Sequence, residues 1–174
     1  MRSLSRLTTE YVEAEDRIRI TGELPAHAGE DSPRTVVLWL TQRLLNRLLP
    51  HLLHWLERHD VPQGWDEAVQ EFAQQAAVAA LQPQTPVHSA PESHAWLVHS
   101  VQLTCSPEHV QLGFQSAPPG AEHSSHLTLQ AQPLRQWLNI VYDQYVRASW
   151  PLALWPQWLA EARQTAPSRS AMLH

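Results

Sequence analysis

Val36-Val37-Leu38-Trp39-Leu40-Thr41-Gln42-Arg43-Leu44-Leu45-Asn46-Arg47-Leu48-Leu49-Pro50-His51-Leu52-Leu53-His54-Trp55-Leu56 is the stretch on which the fold turns. It opens as an unbroken apolar run with β-branched residues, which reads as a buried strand. Within a few residues the apolar spacing changes to that of a helix. On a helical projection Leu44, Leu45, Leu48, Leu49, Leu52, Leu53, Trp55 and Leu56 fill one half of the circumference. Arg43, Asn46, Arg47, His51, His54, Glu57 and Arg58 fill the other. Pro50 falls in the polar half, so the carbonyl it frees, that of Asn46, faces water; the sequence predicts one curved helix rather than two. Half a circumference is more apolar surface than one side of a small sheet needs. A second helix or a second subunit is expected against it, with Leu53 at the margin of the face as a partner contact.

Upstream, Leu7 to Val12 reads as a strand and Glu15-Asp16 as a turn. Arg17 to Thr21 alternates with Ile18 and Ile20 on one side, and Pro25 to Pro33 reads as a loop. The same order returns downstream. Leu97 to Thr104 reads as a strand with Leu97, His99, Val101 and Leu103 on one face. Ser106-Pro107-Glu108 is a turn, Val110, Leu112 and Phe114 alternate, Ser116 to Ser124 is a loop, and His126 to Leu129 leads into a helix opened by Pro133. Val37 and Leu127 stand 90 positions apart, as do Leu44 and Leu134, and Leu48 and Leu138.

The expected fold is therefore α+β, one domain over residues 1–174, built from two β-β-β-α units whose antiparallel strands are covered by amphipathic helices. The first unit spans 5–60 and the second 96–149. Between them, 61–95 holds a connecting helix, Trp65 to Leu81, and a Pro-rich linker. That helix places Val69, Phe72, Ala73, Ala76 and Ala80 on one side. In the second long helix Leu134, Trp137, Leu138, Val141, Tyr142 and Tyr145 share a face. Asp143 and Arg147 pair at i,i+4, and Ile140 is the one apolar residue on the polar side. A Trp-rich tail, 150–174, contains a short helix opened by Pro156 and frays from Gln164 onward.

Composition excludes much chemistry. The chain has no lysine, one cysteine and five glycines. Without lysine there is no P-loop, pyridoxal Schiff base or protein-kinase site; without more cysteine there is no disulfide framework or four-cysteine metal site. G-x-G-x-x-G and G-x-S-x-G are absent. The net charge of −5 divides into −4 over residues 1–87 (8 Arg, 12 acids) and −1 over 88–174 (4 Arg, 5 acids), so neither half offers the basic field a nucleic acid needs. No apolar stretch has signal-peptide or membrane-spanning form, and a cytoplasmic location is expected. Charged residues are only 17% of the chain, against about 25% in typical domains. Together with eight tryptophans, this points to a surface that meets a partner or a second copy.

Candidate sites follow from residue type and spacing. Trp150, Trp155 and Trp158 lie in a proline-broken tail; they either seal the domain's own core or anchor a partner. Arg43, Arg47, His51, His54 and Arg58 form a strip for an anion or an acidic partner. The same arginines argue against metal at the His51/His54 pair. His123 and His126, with His88, His94 and His99 near in sequence, lack reinforcing carboxylate or cysteine spacing and read as surface histidines. Cys105, with His99 and His109 in reach of its hairpin, has no group to lower its pKa and reads as a buried or half-buried structural thiol. Glu10, Glu13, Glu15 and Asp16 read as a solvated turn paired with Arg17 and Arg19. With no catalytic constellation, no cofactor and no metal are expected. The leading expectation is a non-enzymatic adaptor, assembly factor or structural subunit that forms a homodimer. The alternative is a small-ligand-binding domain or enzyme with a pocket lined by Trp39, Trp55, Trp137 and Tyr142 and His99 at its rim.

Overall fold

The computed structural model describes residues 2–26, 34–58, 66–117 and 123–165. The chain runs β1 (Arg2–Ser3), β2 (Leu7–Val12), β3 (Arg17–Leu24), β4 (Arg34–Leu40), α1 (Gln42–Arg58), α2 (Asp66–Ala79), β5 (His94–Leu97), β6 (Ser100–Cys105), β7 (His109–Gln115), β8 (Ser124–Gln130), α3 (Ala131–Arg147) and α4 (Gln157–Thr165). The class is α+β, as expected. The order β2-β3-β4-α1 returns as β6-β7-β8-α3, each run ending in a helix of 17 residues. Pro50 lies inside a continuous α1 and is exposed. Gln164 and Thr165, where fraying was expected to begin, are the last residues of α4; Trp65, most of the 25–33 and 116–124 loops, and the chain beyond Thr165 lie outside the described residues.

Two four-stranded sheets form, in the orders β2-β3-β4-β5 and β1-β8-β7-β6. In each, three strands make an antiparallel meander. The fourth is a short parallel strand lent by the other half of the chain: β5 beside β4, and β1 beside β8. At both crossings, consecutive amides serve different sheets. Leu4 N–H donates to the His126 carbonyl (2.8 Å) and Ser5 N–H to that of Glu23 (3.0 Å). Val98 N–H donates to the Trp39 carbonyl (2.9 Å) and His99 N–H to that of Gln115 (2.8 Å). Leu4 and Val98 are buried at these points. A Cβ on Gly22 would come within 2.7 Å of Leu4 Cδ2, so glycine there leaves room for the plug. This exchange corrects the single strand expected over Leu97–Thr104. The chain changes sheets at Val98–His99, and the alternation breaks because Val98 turns inward while Leu97 and His99 stay exposed.

The long helices also cross over. α3 lies against β2 of the first half, and α1 against β6 of the second. Polar contacts fix both placements. Trp137 Nε1 donates to Thr9 Oγ1 (3.1 Å), Tyr11 N–H to Gln144 Oε1 (2.9 Å), and Trp55 Nε1 to the Ser106 carbonyl (2.9 Å). A single core unites Ile18, Ile20, Leu38 and Leu40 with Val110, Leu112 and Phe114, the leucines of α1, and Leu134, Leu138, Val141 and Tyr145 of α3. Each such side chain contributes about 1.5–3 kcal/mol on burial.

α2 departs from expectation. Phe72 is 72% exposed, and the inward face is Gln70, Gln74 and Ala77. The face is polar because what it covers is polar. Gln70 Nε2 donates to the Leu56 carbonyl (3.0 Å) and Gln74 Nε2 to that of Arg135 (3.1 Å), while the buried Arg135 guanidinium donates to Gln70 Oε1. α3 is thus enclosed on its polar side as well, by α2 and α4. Asp143 pairs with Arg163 of α4 rather than with Arg147, because α4 packs within reach of it.

Candidate functional site

The tail rings lie in the chain's own core. Trp150, Trp155 and Trp158 are 7%, 8% and 4% exposed. Tyr145 binds two of them edge-on, with centroids 5.0 Å from Trp150 and 5.3 Å from Trp155. Trp150 Nε1 also donates to Asp16 Oδ1 (3.1 Å), and Trp158 stacks under the Arg135 guanidinium (5.5 Å). Of the two expectations for this segment, sealing the core is the one its burial matches, and the rings form no surface patch. Leu53 is likewise buried, at 4% exposure. The leucine face of α1 is buried in the common core, with Leu45, Leu48, Leu49, Leu52, Leu53 and Leu56 all enclosed.

Arg43, Arg47, His51, His54 and Arg58 are all exposed on the outer face of α1, as their spacing predicts. The remaining candidates scatter. His94 and His123 meet edge to face at 5.5 Å. Among the described residues no three His, Cys, Asp or Glu side chains gather as a metal-holding group. Cys105 is exposed rather than buried, because β6 is the edge of its sheet and Cys105 is its last residue. Ser106 Oγ lies 3.1 Å from His109 Nδ1, but it also accepts from the Glu108 and His109 amides (3.3 and 3.0 Å), which ties it into the turn. At the first hairpin Arg19 pairs with Glu10 and Arg17 with Glu15, as expected. Asp16, at φ 47°, does more than end a turn: it holds both Tyr11 Oη (2.9 Å) and Trp150.

A cleft of about 1100 Å³ opens beside β2, and its lining differs from that of the expected aromatic pocket. Of the rings expected in a pocket it contains Trp137 alone; Trp39, Trp55, Tyr142 and His99 lie elsewhere. β2 and the residues before it contribute Ser5 to Thr9. The end of α2 gives Gln75, Val78 and Ala79, and α3 gives Pro133, Gln136, Asn139, Ile140 and Asp143. The extended segment 81–87 and Leu127 and Leu129 of β8 complete it. Segment 81–87 is held beside β2 by Arg6 Nη2 donating to the Thr85 carbonyl (2.7 Å) and Val87 N–H donating to Thr8 Oγ1 (2.7 Å). The walls are apolar side chains interleaved with neutral amides and hydroxyls. The two charged lining residues are already engaged, Arg6 with Glu23 (3.0 Å) and Asp143 with Arg163. One sequence signal marked this wall: Ile140, the lone apolar residue on the polar side of α3, lines the cleft. Comparison of the chain with protein-family models, curated proteins and solved structures finds no match.

Proposed function

We propose that this chain is a non-enzymatic binding protein, an adaptor or assembly subunit, whose cleft between β2, α3 and segment 81–87 receives its partner. The observation that carries the reading is the chemistry of the lining. It offers apolar area with neutral donors and acceptors, and its charges are internally neutralised. Such a surface holds a ligand but does not move protons, since general acid–base work needs a titratable group free to exchange. A volume of about 1100 Å³ lies just above the range for small-molecule sites, about 300–1,000 Å³, which favours a ligand larger than a metabolite.

The homodimer expected from the leucine face and the tail has lost that motive, since those side chains are inside the chain; a monomer that binds a different molecule is the better reading. A cytoplasmic site of action remains part of the proposal. It is compatible with the described residues, in which no helix is long and apolar enough to cross a membrane. The test is an amide NMR titration of the full chain with a library of uncharged fragments. Binders shift Leu7, Thr9, Val78 and Ile140 together, and Ile140→Trp, which fills the cleft, abolishes those shifts while keeping the melting temperature. Binders that shift only residues outside the cleft, or that bind Ile140→Trp unchanged, overturn the reading.

A further inference from the structure

β2 is the outer strand of its sheet, and the cleft runs along its open side. In the antiparallel β2–β3 ladder, alternate residues point their backbone groups at the neighbour. Glu23 N–H donates to the Arg6 carbonyl, so the even-numbered residues of β2 face β3. Leu7, Thr9 and Tyr11 therefore direct their N–H and C=O groups away from it. Tyr11 N–H is taken by Gln144 Oε1. For Leu7 and Thr9 no backbone partner exists among the described residues, and both residues line the cleft.

From this we infer that the cleft takes an extended peptide segment, which adds as a strand to the open edge of β2 at Leu7 and Thr9. The inference rests on the cleft being the binding site. Two donors and two acceptors in one row, spaced two residues apart, are matched by another strand, whose own groups repeat at the same spacing. Charge complementarity narrows the occupant. With Arg6 held by Glu23 and Asp143 by Arg163, the cleft has no spare counter-ion, so the residues that enter it are uncharged. Gln136 donates Nε2 to the Ala77 carbonyl and Asn139 Oδ1 accepts from Arg163, which leaves the Gln136 oxygen and the Asn139 amide nitrogen for the polar members, while Val78, Leu81 and Ile140 receive the apolar ones. The edge is recessed behind segment 81–87, which is bonded to Arg6 and Thr8. A single added strand, rather than the whole sheet of a second copy, is the occupant we assign to that recess. Gln144 on Tyr11 stops the added strand at its far end. Recession also answers a general problem, since an open edge left flat on the surface invites aggregation.

The probe is a synthetic pool of uncharged octapeptides alternating Val or Thr with Ser or Asn, titrated into the labelled full chain. The expected result has two parts. Amide exchange at Leu7 and Thr9 slows at least about tenfold on saturation. N-methylation of every second peptide residue weakens binding at least about tenfold in one register and leaves it unchanged in the other, because only one set of amides faces β2. Equal tolerance of both registers, or unchanged exchange at Leu7 and Thr9, overturns strand addition. If uncharged fragments still shift the cleft residues, the broader binding reading survives that failure. If neither peptides nor fragments shift them, both fall. Val78→Trp provides a second filled cleft should Ile140→Trp fail to fold. A complex containing two copies of the chain would replace the peptide by self-association and also overturn the proposal.

Discussion

Arg135 shows how far a single residue can depart from its type. It is 6% exposed, and its guanidinium bonds the Gln70 side chain and covers Trp158, with no carboxylate among the described side chains beside it. Desolvation lowers its pKa to about 10, so it remains charged at neutral pH but at a cost. We expect Arg135→Ala to lose about 2–3 kcal/mol, through the orphaned Gln70 oxygen and the lost stem packing. Arg135→Met, which keeps the stem, should lose less; equal losses in chemical denaturation would refute this partition. Tyr145 titrates in the opposite sense. Burial raises its pKa well above the ordinary 10.0, and its hydroxyl donates to Asn46 Oδ1 (2.8 Å). Its neutral form thus contributes stability in full below pH 10, and that stability declines as the unfolded chain ionises above it. The depressed Arg135 works against this, adding stability as pH rises above about 10. Comparing the native chain with Tyr145→Phe cancels the arginine. Melting temperatures from pH 9 to 11 should show the native chain falling relative to the variant above pH 10, and parallel curves would count against it.

At the scale of elements, the tail behaves as part of the core. Trp150 and Trp155 present similar ring area, but their indole nitrogens differ. Trp150 Nε1 is bonded to Asp16, whereas Trp155 Nε1 is buried with no partner among the described residues. Either Trp→Ala change should cost about 3–5 kcal/mol. The Phe variants separate them: Trp155→Phe discards an unsatisfied donor and should stay near the native value, while Trp150→Phe removes a made hydrogen bond to Asp16 and should lose about 1 kcal/mol more. Urea midpoints in the reverse order would contradict this. Elements were legible in the sequence where one face met an apolar neighbour. The α1 leucines, Ile18 and Ile20, and Val110 to Phe114 all fall where periodicity puts them. α2 was not legible, because Gln70 and Gln74 are buried by carbonyls of Leu56 and Arg135, partners from distant sequence that a hydropathy pattern does not contain. The cleft was legible only through Ile140 and Trp137. Its other determinant is the open row of β2 backbone at Leu7 and Thr9, and backbone carries no residue code.

At the scale of the whole molecule, the two halves share an element order and one core. Each meander borrows its fourth strand from the other half, β5 for one and β1 for the other, and each long helix covers the other half's first strand. A cut between the exposed His88 and Ser89 would leave residues 1–88 with β2 stripped of Trp137 and Gln144, and with β4 lacking its parallel neighbour. Residues 89–174 would keep three antiparallel strands and α3 but lose α1, whose Leu45, Leu48, Leu49, Leu52, Leu53 and Leu56 all belong to the common core. Neither piece retains a closed apolar interior, and a small domain has little stability to spare, about 5–15 kcal/mol in total. We therefore expect each fragment alone to lack dispersed amide resonances and a cooperative melt, and an equimolar mixture to regain both. Assembly should be slow, in the millisecond-to-second range or longer, because the strand pairs that close the core are remote in sequence. A cooperative transition in either isolated fragment would show that the exchanged strands and crossed helices are accessories; its absence, with recovery on mixing, makes them the joint that turns two similar halves into one folding unit.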